Sequence, residues 1–237
     1  MGTLATVSRR TVVEAVERLL DQRVAGLVVV ASVNAATEAL ADVLTDAPVV
    51  HLGGDAAPGP IVRVDQVAGA RLATECLLAA GHATVWHVAG PVGWSDSGGR
   101  ITGWEQTLRE FGRPVPPVVT AADWSAASGY EAGRELARDP EVTAVFAAND
   151  AIALGVLRAM YEAGRAVPGE VSVIGFDDVP ESAYLVPPLT TVRPDFAAVA
   201  REGLALLLAD VASGTVGAAQ RTLPPRLVRR ESVAPPA

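Results

Sequence analysis

Short apolar runs alternate with segments of helical periodicity along most of this 237-residue chain. Buried strands are predicted at the apolar runs, residues 26–31, 48–52, 61–64, 84–89, 117–121, 144–148 and 171–176. Helices are predicted between or after them, at residues 11–23, 34–44, 66–80, 99–111, 125–139, 150–164 and 195–212. A last extended segment is predicted at residues 221–230. This alternation favours an α/β fold in which helices cover both faces of a mainly parallel sheet.

Polar residues follow two of the predicted strands at the point where each strand ends. The strand at residues 144–148 leads into Asn149 and Asp150, and the strand at residues 171–176 leads into Asp177 and Asp178. Because the carboxyl ends of parallel strands share one edge, these side chains are expected to gather there. Open α/β sheets bind their ligands at that edge.

Four residues near the strand ends form a candidate ligand site: Arg100, Trp124, Asn149 and Asp177. An aromatic ring stacks on the apolar face of a sugar, while guanidinium, amide and carboxylate groups pair with its hydroxyls. The set therefore favours a neutral polyol as the ligand. A second interpretation stays open, because Asn149, Asp150 and Asp177 are also common helix caps and Trp124 is also a common core residue.

Composition excludes several classes of protein. Half of the residues are hydrophobic, and no apolar run approaches the length of about 20 residues that a membrane span needs. The net charge of −8, without a basic cluster, makes the chain itself a poor binder of nucleic acid. The one cysteine, Cys76, lies in a helical apolar pattern and is expected to be a buried small hydrophobic residue. We identify no secretory signal at the N-terminus.

Catalytic and metal-binding patterns are not evident. The chain contains neither a G-x-S-x-G elbow nor a phosphate-binding loop that ends in Gly-Lys-Ser/Thr. Its histidines, His51, His82 and His87, are not spaced as metal ligands, and His51 and His87 are expected to be structural residues within strands. We therefore predict no cofactor, no metal site and no enzymatic activity.

Several motifs resemble a known family when they are taken in order. Residues 147–155 are AANDAIALG, residues 171–178 are VSVIGFDD, and residues 187–192 are PPLTTV. These segments resemble the lactose- and galactose-repressor (LacI/GalR-type) family of bacterial transcription regulators, and the resemblance extends over essentially the whole chain. It implies a periplasmic-binding-protein-like fold, in which three crossovers join two Rossmann-like lobes with parallel sheets.

The resemblance also divides the chain into lobes. The first lobe is expected to comprise residues 1–64 and 194–222, and the second to comprise residues 65–193 and 223–237. The first lobe is expected to be truncated at its start, because Thr11 already matches a later helix of that lobe. In the family, the effector is bound in the cleft between the lobes.

The effector contacts that the resemblance implies include the residues selected by the strand-end pattern. The second lobe would supply Arg100, Trp124, Asn149 and Asp177. Phe196 would form a further wall of the pocket. Gly53 stands where the family has an acidic sugar contact in its first lobe, and Asp55, two residues on, is the candidate to replace it. The effector need not be a galactoside.

The function that the resemblance implies is that of an effector-binding and dimerisation region. A sugar-like small molecule would control DNA binding by a helix-turn-helix headpiece, which this chain is expected to lack, so operator DNA would be bound only through that headpiece. The expected assembly is a homodimer in the cytoplasm without membrane contact. The alternative is a solute-binding protein of a sugar transporter, and an α/β enzyme acting on sugars or nucleotides is a third, weaker hypothesis.

Overall fold

A computed structural model describes residues 9–30, 47–54 and 59–236 of the chain. Its residues divide into two compact units, each with its own sheet. The first unit comprises residues 1–64, 93–96 and 195–223, and the second comprises residues 65–92, 97–194 and 224–237. The helix predicted at residues 34–44 lies outside the described residues.

The first unit contains the strands β1 (Leu27–Val30), β2 (Val49–Leu52), β3 (Ile61–Val64) and β9 (Gln220–Leu223). They form a parallel sheet in the order β1-β2-β3-β9. Two helices of this unit are α1 (Arg9–Asp21) and α6 (Phe196–Ser213). Helix α6 packs on the sheet through Val199, which shares an apolar cluster with Val62 and Val64.

The second unit contains the strands β4 (Trp86–Ala89), β5 (Val119–Thr120), β6 (Ala144–Ala147), β7 (Ser172–Phe176), β8 (Thr190–Arg193) and β10 (Arg226–Val228). They form a sheet in the order β10-β8-β7-β6-β4-β5, in which only β10 is antiparallel to its neighbour. Its helices are α2 (Gln66–Ala79), α3 (Ser95–Glu110), α4 (Ala126–Leu136) and α5 (Asp150–Glu162), with a short 3-10 helix at Pro180–Tyr184, and only the first two residues of α3 group with the first unit.

Strand β6 shows why the central strands are uninterrupted apolar runs. Val145 and Ala147 point into one apolar cluster, whereas Ala144 and Phe146 point into a second cluster on the other side of the sheet. Successive side chains of a strand alternate between its faces, and here both faces are covered. Every residue of β6 is therefore buried, which confirms the α/β fold class predicted from the sequence.

Three segments differ from their sequence-based prediction. The extended segment predicted at residues 221–230 is divided between two sheets, because Pro224 and Pro225 separate β9 from β10 and cannot donate to a strand ladder. The helix predicted from residue 99 begins at Ser95, so the polar and glycine-rich residues 95–99 are helical although they carry no apolar periodicity. Strand β8, which the apolar pattern did not predict, borders β7.

Candidate functional site

Four predicted site residues lie close together in the second unit, near the carboxyl ends of β4, β6 and β7. The Arg100 guanidinium lies 3.8 Å from the centroid of the Phe176 ring and 5.5 Å from that of the Trp124 ring. Its Nη2 atom is 3.7 Å from Oδ1 of Asp177. Asn149 joins the group because its side-chain Nδ2 donates to the carbonyl oxygen of Trp124 at 3.2 Å.

Arg100 is a buried cation that the fold holds in one orientation. Its Nε donates to Oε1 of Gln66 at 2.9 Å, and its Nη1 donates to the carbonyl oxygen of Ala148. Only 4% of the residue is exposed, so the guanidinium depends on these partners and on Asp177 for compensation. The aromatic faces of Phe176 and Trp124 add cation–π attraction. A side chain restrained in this way is suited to orient a ligand.

The Trp124 ring is positioned by a turn before α4 and by a glycine after β4. Oδ1 of Asp123 accepts hydrogen bonds from the backbone and hydroxyl of Ser125 and from the hydroxyl of Ser128. The Ser125 and Ser128 bonds hold the pKa of this carboxyl below its usual range. On the other side, a Cβ atom on Gly90 would overlap three carbons of the ring. The half-buried ring therefore rests on the backbone at Gly90, and the absence of a side chain there permits it.

Asn149 has a structural role that the sequence left open. It is the N-cap of α5, and its Oδ1 accepts from the backbone N–H of Ile152 at 2.7 Å. Its amide nitrogen bonds to Trp124 at the same time. An amide nitrogen carries two hydrogens, so it can make one bond more than this contact uses.

Asp177 and Asp178 follow β7 in an unusual backbone conformation. Their φ angles are 103° and 54°, a region that residues other than glycine rarely adopt. The Asp177 backbone N–H donates to the carbonyl oxygen of Val192 at 2.8 Å, which extends the pairing of β7 with β8. The Asp177 side chain is 27% exposed, so its carboxylate is accessible to a ligand while it pairs with Arg100.

Asp150 is a buried anchor for the segment that follows β7. Its Oδ2 accepts from the Val179 N–H and the Ser182 hydroxyl, and its Oδ1 accepts from the Thr191 hydroxyl. Burial raises the pKa of this carboxyl, and the three hydrogen bonds oppose that rise. Asp150 therefore stabilises the loop that carries Asp177 and is not itself at the surface.

The histidines and the cysteine are structural. His51 in β2 and His87 in β4 are both buried within their sheets, as predicted, and Cys76 is buried in α2. Burial lowers the pKa of His87 to about 4, against the raising effect of its hydrogen bond to Phe146. His82 contacts the hydroxyls of Thr143 and Ser172, and burial lowers its pKa also. Across the described ranges, no cluster of His, Cys, Asp or Glu could hold a metal ion.

Comparison with known proteins identifies the family. Residues 74–233 match the model of the periplasmic binding protein-like domain. The chain belongs to this family. The match spans the strand ends that hold the four clustered residues.

Relatives of this periplasmic binding protein-like domain include bacterial repressors, which confirms the family resemblance. The chain is 32% identical over 226 residues to the lactose operon repressor of Escherichia coli K12, covering 94% of this chain and 62% of that protein. It is 36% identical over 225 residues to the HTH-type transcriptional regulator GalS of Salmonella typhimurium LT2, covering 93% and 66%. The chain thus spans slightly less than two thirds of these relatives.

Solved structures show the same similarity. A dimeric Lac repressor with a C-terminal deletion has a TM-score of 0.89 at 30% identity, covering all of this chain and 87% of that one. The regulator CelR in complex with cellobiose has a TM-score of 0.85 at 30% identity, covering 93% and 69%. A LacI-family regulator from Enterococcus faecium with bound ribose has a TM-score of 0.81 at 29% identity, covering 92% and 83%.

Two further predicted contacts of the periplasmic binding protein-like domain are not among the described residues of the second unit. Phe196 is in the first unit, as the first residue of α6, and is 55% exposed. Asp55 lies outside the described residues, whereas the nearby Gly53 donates its backbone N–H to Val62. Both stay predictions as ligand contacts.

Sequence reasoning missed two residues that organise the cluster. Gln66 binds Arg100, and the only local signal was its position at the start of a predicted helix. Asp178 binds two arginines, whereas the sequence marked it only as one of the polar residues that follow a strand. Within the part of the chain that the structure describes, no helix combines the length and apolarity needed to cross a membrane.

Proposed function

We propose that this chain is the effector-binding and dimerisation region of a bacterial transcriptional regulator of the lactose- and galactose-repressor type. Its effector would be a neutral sugar, bound against the carboxyl ends of the second unit's strands. The observation that carries the proposal is the Arg100–Asp177 pair beside the half-buried ring of Trp124. Regulators similar to this chain have been crystallised with cellobiose and with ribose.

The charge balance of the site favours a neutral ligand over a phosphorylated one. Arg100 is the cation of the cluster, and Gln66, Ala148 and Asp177 already compensate it. A phosphate would have to compete with the Asp177 carboxylate for this guanidinium, and the two anions would repel each other. A sugar hydroxyl instead donates to Asp177 and accepts from Arg100, so both charges stay paired.

The regulatory role is supported by the relatives and by the charge of the chain. The relatives are named as repressors and transcriptional regulators, which favours this role over a transporter's solute-binding protein and over an enzyme. Operator DNA would be the partner of the whole regulator, in the cytoplasm where that DNA lies. The net charge of −8 makes this chain alone a poor phosphate-backbone binder.

Dimerisation would use an apolar surface on the second unit, formed by Leu154 and Tyr161 of α5 with Tyr184 and Val186. Tyr184 is 85% exposed and Val186 is 92% exposed. A cavity of about 300 Å³ beside them is lined by Leu157, Leu185 and other residues of the same surface. Grouped apolar side chains on a soluble protein mark an interaction site, and the dimeric Lac repressor structure favours a second copy as the partner.

Calorimetric titration of the purified chain with D-galactose, D-ribose, D-glucose, cellobiose and their phosphates tests the effector proposal. We expect at least one neutral sugar to bind more tightly than its phosphate. Trp124→Ala should weaken this binding by about 1–3 kcal/mol, because the stacking surface is removed. Gly90→Ala should weaken it as well, because the new methyl group displaces the ring. Phe111→Ala, at an exposed aromatic beyond the opposite end of α3, is the matched control.

Two results would contradict the effector proposal. One is a preference for sugar phosphates that Asp177→Asn strengthens, which would mean that the site binds anions. The other is full sugar affinity in both Trp124→Ala and Gly90→Ala, which would assign Trp124 to the core alone.

Sedimentation analysis tests the dimer proposal separately. We expect Tyr184→Arg to convert a dimer into a monomer, because a charge would replace apolar surface at the interface. Phe111→Arg places the same charge at another exposed aromatic and should leave the dimer intact. A dimer that survives Tyr184→Arg, Val186→Glu and Leu154→Arg in turn would rule this surface out.

A further inference from the structure

We propose that Asp178 is a positioning residue for effector binding, because its ion pairs with Arg193 and Arg230 hold the neighbouring carboxylate of Asp177 toward Arg100. The inference rests on the proposed function, since it concerns the same site. It assigns a role to three residues that are not themselves expected to contact the sugar.

Both oxygens of the Asp178 carboxylate are engaged. Oδ1 accepts from Nη2 of Arg230 at 2.6 Å, and Oδ2 accepts from Nε of Arg193. The side chain is 1% exposed. Burial alone would raise the pKa of this carboxyl, but the hydrogen bonds and charges of the two arginines outweigh it and keep the pKa below its usual value. Asp178 is therefore a charged anchor that cannot rotate without leaving a guanidinium unpaired.

Arg230 is fixed by further bonds, so the anchor is rigid. Its Nη1 donates to the carbonyl oxygen of Leu189 at 2.7 Å, and its backbone N–H donates to the hydroxyl of Thr190 at 2.9 Å. Arg193 is the last residue of β8, the strand that pairs with β7. The Asp178 side chain is thus attached to the start and the end of one neighbouring strand.

Asp177 is held between this anchor and the end of the sheet. Its own backbone N–H pairs with Val192, and the next residue is Asp178. Its φ of 103° is strained for a residue with a Cβ atom, and such a conformation persists only when surrounding contacts enforce it. Without the Asp178 ion pairs, we expect the backbone to relax and the Asp177 carboxylate to leave Arg100.

The two arginines lie close to the points where the chain passes between the units. Arg193 precedes the passage at residues 194–195, and Arg230 follows the passage at residues 223–224. Through these two arginines, the buried Asp178 side chain next to Asp177 is attached to both segments. This arrangement gives the site a physical link to the segments that connect the units.

Crystal structures of the full chain as wild type, Asp178→Asn and Asp210→Asn test the positioning without any ligand. In Asp178→Asn the new side chain can accept from one arginine, but its amide hydrogens face the other. We expect φ of Asp177 to change and its carboxylate to move beyond roughly 4 Å from Arg100, the limit of an ion pair. Asp210→Asn removes the charge of another buried aspartate, one that binds Gly217 in the first unit, and should leave Asp177 in place. An unchanged Asp177 in Asp178→Asn would overturn the proposal.

Titration with D-galactose, D-ribose and cellobiose tests the consequence for binding. We expect Asp178→Asn to weaken the binding of whichever of these sugars binds the wild type by about tenfold or more, since a charged contact is lost. In an Asp177→Asn background, Asp178→Asn should cause no further loss of affinity, because it acts through Asp177. A merely structural role would lower the melting temperature in both backgrounds and give either no loss of affinity or the same loss in each, which would contradict the proposal.

Failure of this inference is distinguishable from failure of the proposed function. If none of the three sugars binds the wild type, the sugar proposal fails for these probes, and the crystal structures still decide whether Asp178 positions Asp177. If Asp178→Asn does not fold, Arg193→Gln and Arg230→Gln replace it, because each removes one ion pair and leaves the aspartate. We expect Arg230→Gln to displace Asp177 more, since the Arg193 side chain is 41% exposed and its pair is weaker.

Discussion

Similar polar pairs follow the ends of β6 and β7, namely Asn149-Asp150 and Asp177-Asp178. In each pair the two residues have different structural roles. The first residue reaches the cluster around Arg100 and Trp124, through a hydrogen bond from Asn149 and an ion pair from Asp177. The second residue is buried and binds other parts of the second unit. In both pairs of this chain, the first residue therefore reaches the proposed effector site and the second residue is a buried anchor.

The two anchors differ in what they bind, and this difference sets the direction in which the pKa of each carboxyl shifts. Asp150 is bound by two hydroxyls and one backbone N–H, which are neutral donors, and burial raises its pKa. Asp178 is bound by two guanidinium groups, which outweigh burial and lower its pKa. The pKa of an aspartate at these two equivalent positions thus shifts in opposite directions, because the charge of its partners differs.

The largest expected effect on stability follows from replacing Asp150, the anchor that is bound by neutral donors. Asp150→Ala should reduce the free energy of unfolding by about 3–5 kcal/mol, because three buried donors lose their acceptor. Urea unfolding measures this change. Asp150→Asn retains the shape and one acceptor oxygen, and it should reduce the free energy of unfolding less. Equal losses for the two variants would show that the hydrogen bonds contribute little.

His87, a buried base on the adjacent strand β4, extends the comparison to a group that is positively charged when protonated. The folded-state pKa of His87 is about 4 and its ordinary value is 6.5, so between these values the unfolded chain binds a proton that the folded chain does not. Stability should therefore fall as pH falls from 6.5 to 4, by roughly 3 kcal/mol from this group. Thermal unfolding from pH 7 to pH 4 measures the slope. In His87→Gln the slope should be smaller, and an unchanged slope would assign it to other groups.

The opposite shifts of the two anchors predict opposite pH profiles for matched variants. Asp178 stabilises the folded state above its ordinary pKa, and this contribution is lost as pH falls below that range. The cost of Asp178→Asn should therefore shrink in acid. Asp150 favours the protonated form when folded, so the wild type gains stability as pH falls and the cost of Asp150→Asn should grow. Each difference should change by at most about 1.4 kcal/mol per pH unit. Parallel profiles in urea unfolding between pH 7 and pH 3.5 would contradict the comparison.

The smallest effect is expected for Asn149. Asn149→Ala should lower the free energy of unfolding by about 1 kcal/mol through loss of the helix cap. Asn149→Asp keeps the capping oxygen and loses only the bond to the Trp124 carbonyl, so it should be closer to wild type in stability. Its sugar affinity should nevertheless fall, because the contact function and the cap are separate properties of this residue. Titration and urea unfolding of the two variants separate them.

The sequence predicts the fold better than it predicts the supports of the site. Alternating strands and helices identify a parallel sheet, and parallel strand ends share one edge, so Arg100 and Asp177 are expected near each other without knowledge of the structure. The partners of Asp178 are different. Arg230 lies 52 residues away along the chain, and an ion pair between distant segments leaves no periodic pattern in the sequence. Gln66, 34 residues from Arg100, is hidden for the same reason.

The contact between Gly90 and the Trp124 ring has a consequence for sequence evolution and for protein engineering. The ring occupies the space that a methyl group at position 90 would need, so neither residue can change freely while the other is kept. Among homologues, an aromatic residue at the position of Trp124 should co-vary with glycine at the position of Gly90. An attempt to change the ligand specificity of the proposed effector site should therefore randomise the two codons together, since a library that varies only one of them keeps the steric constraint that the other imposes.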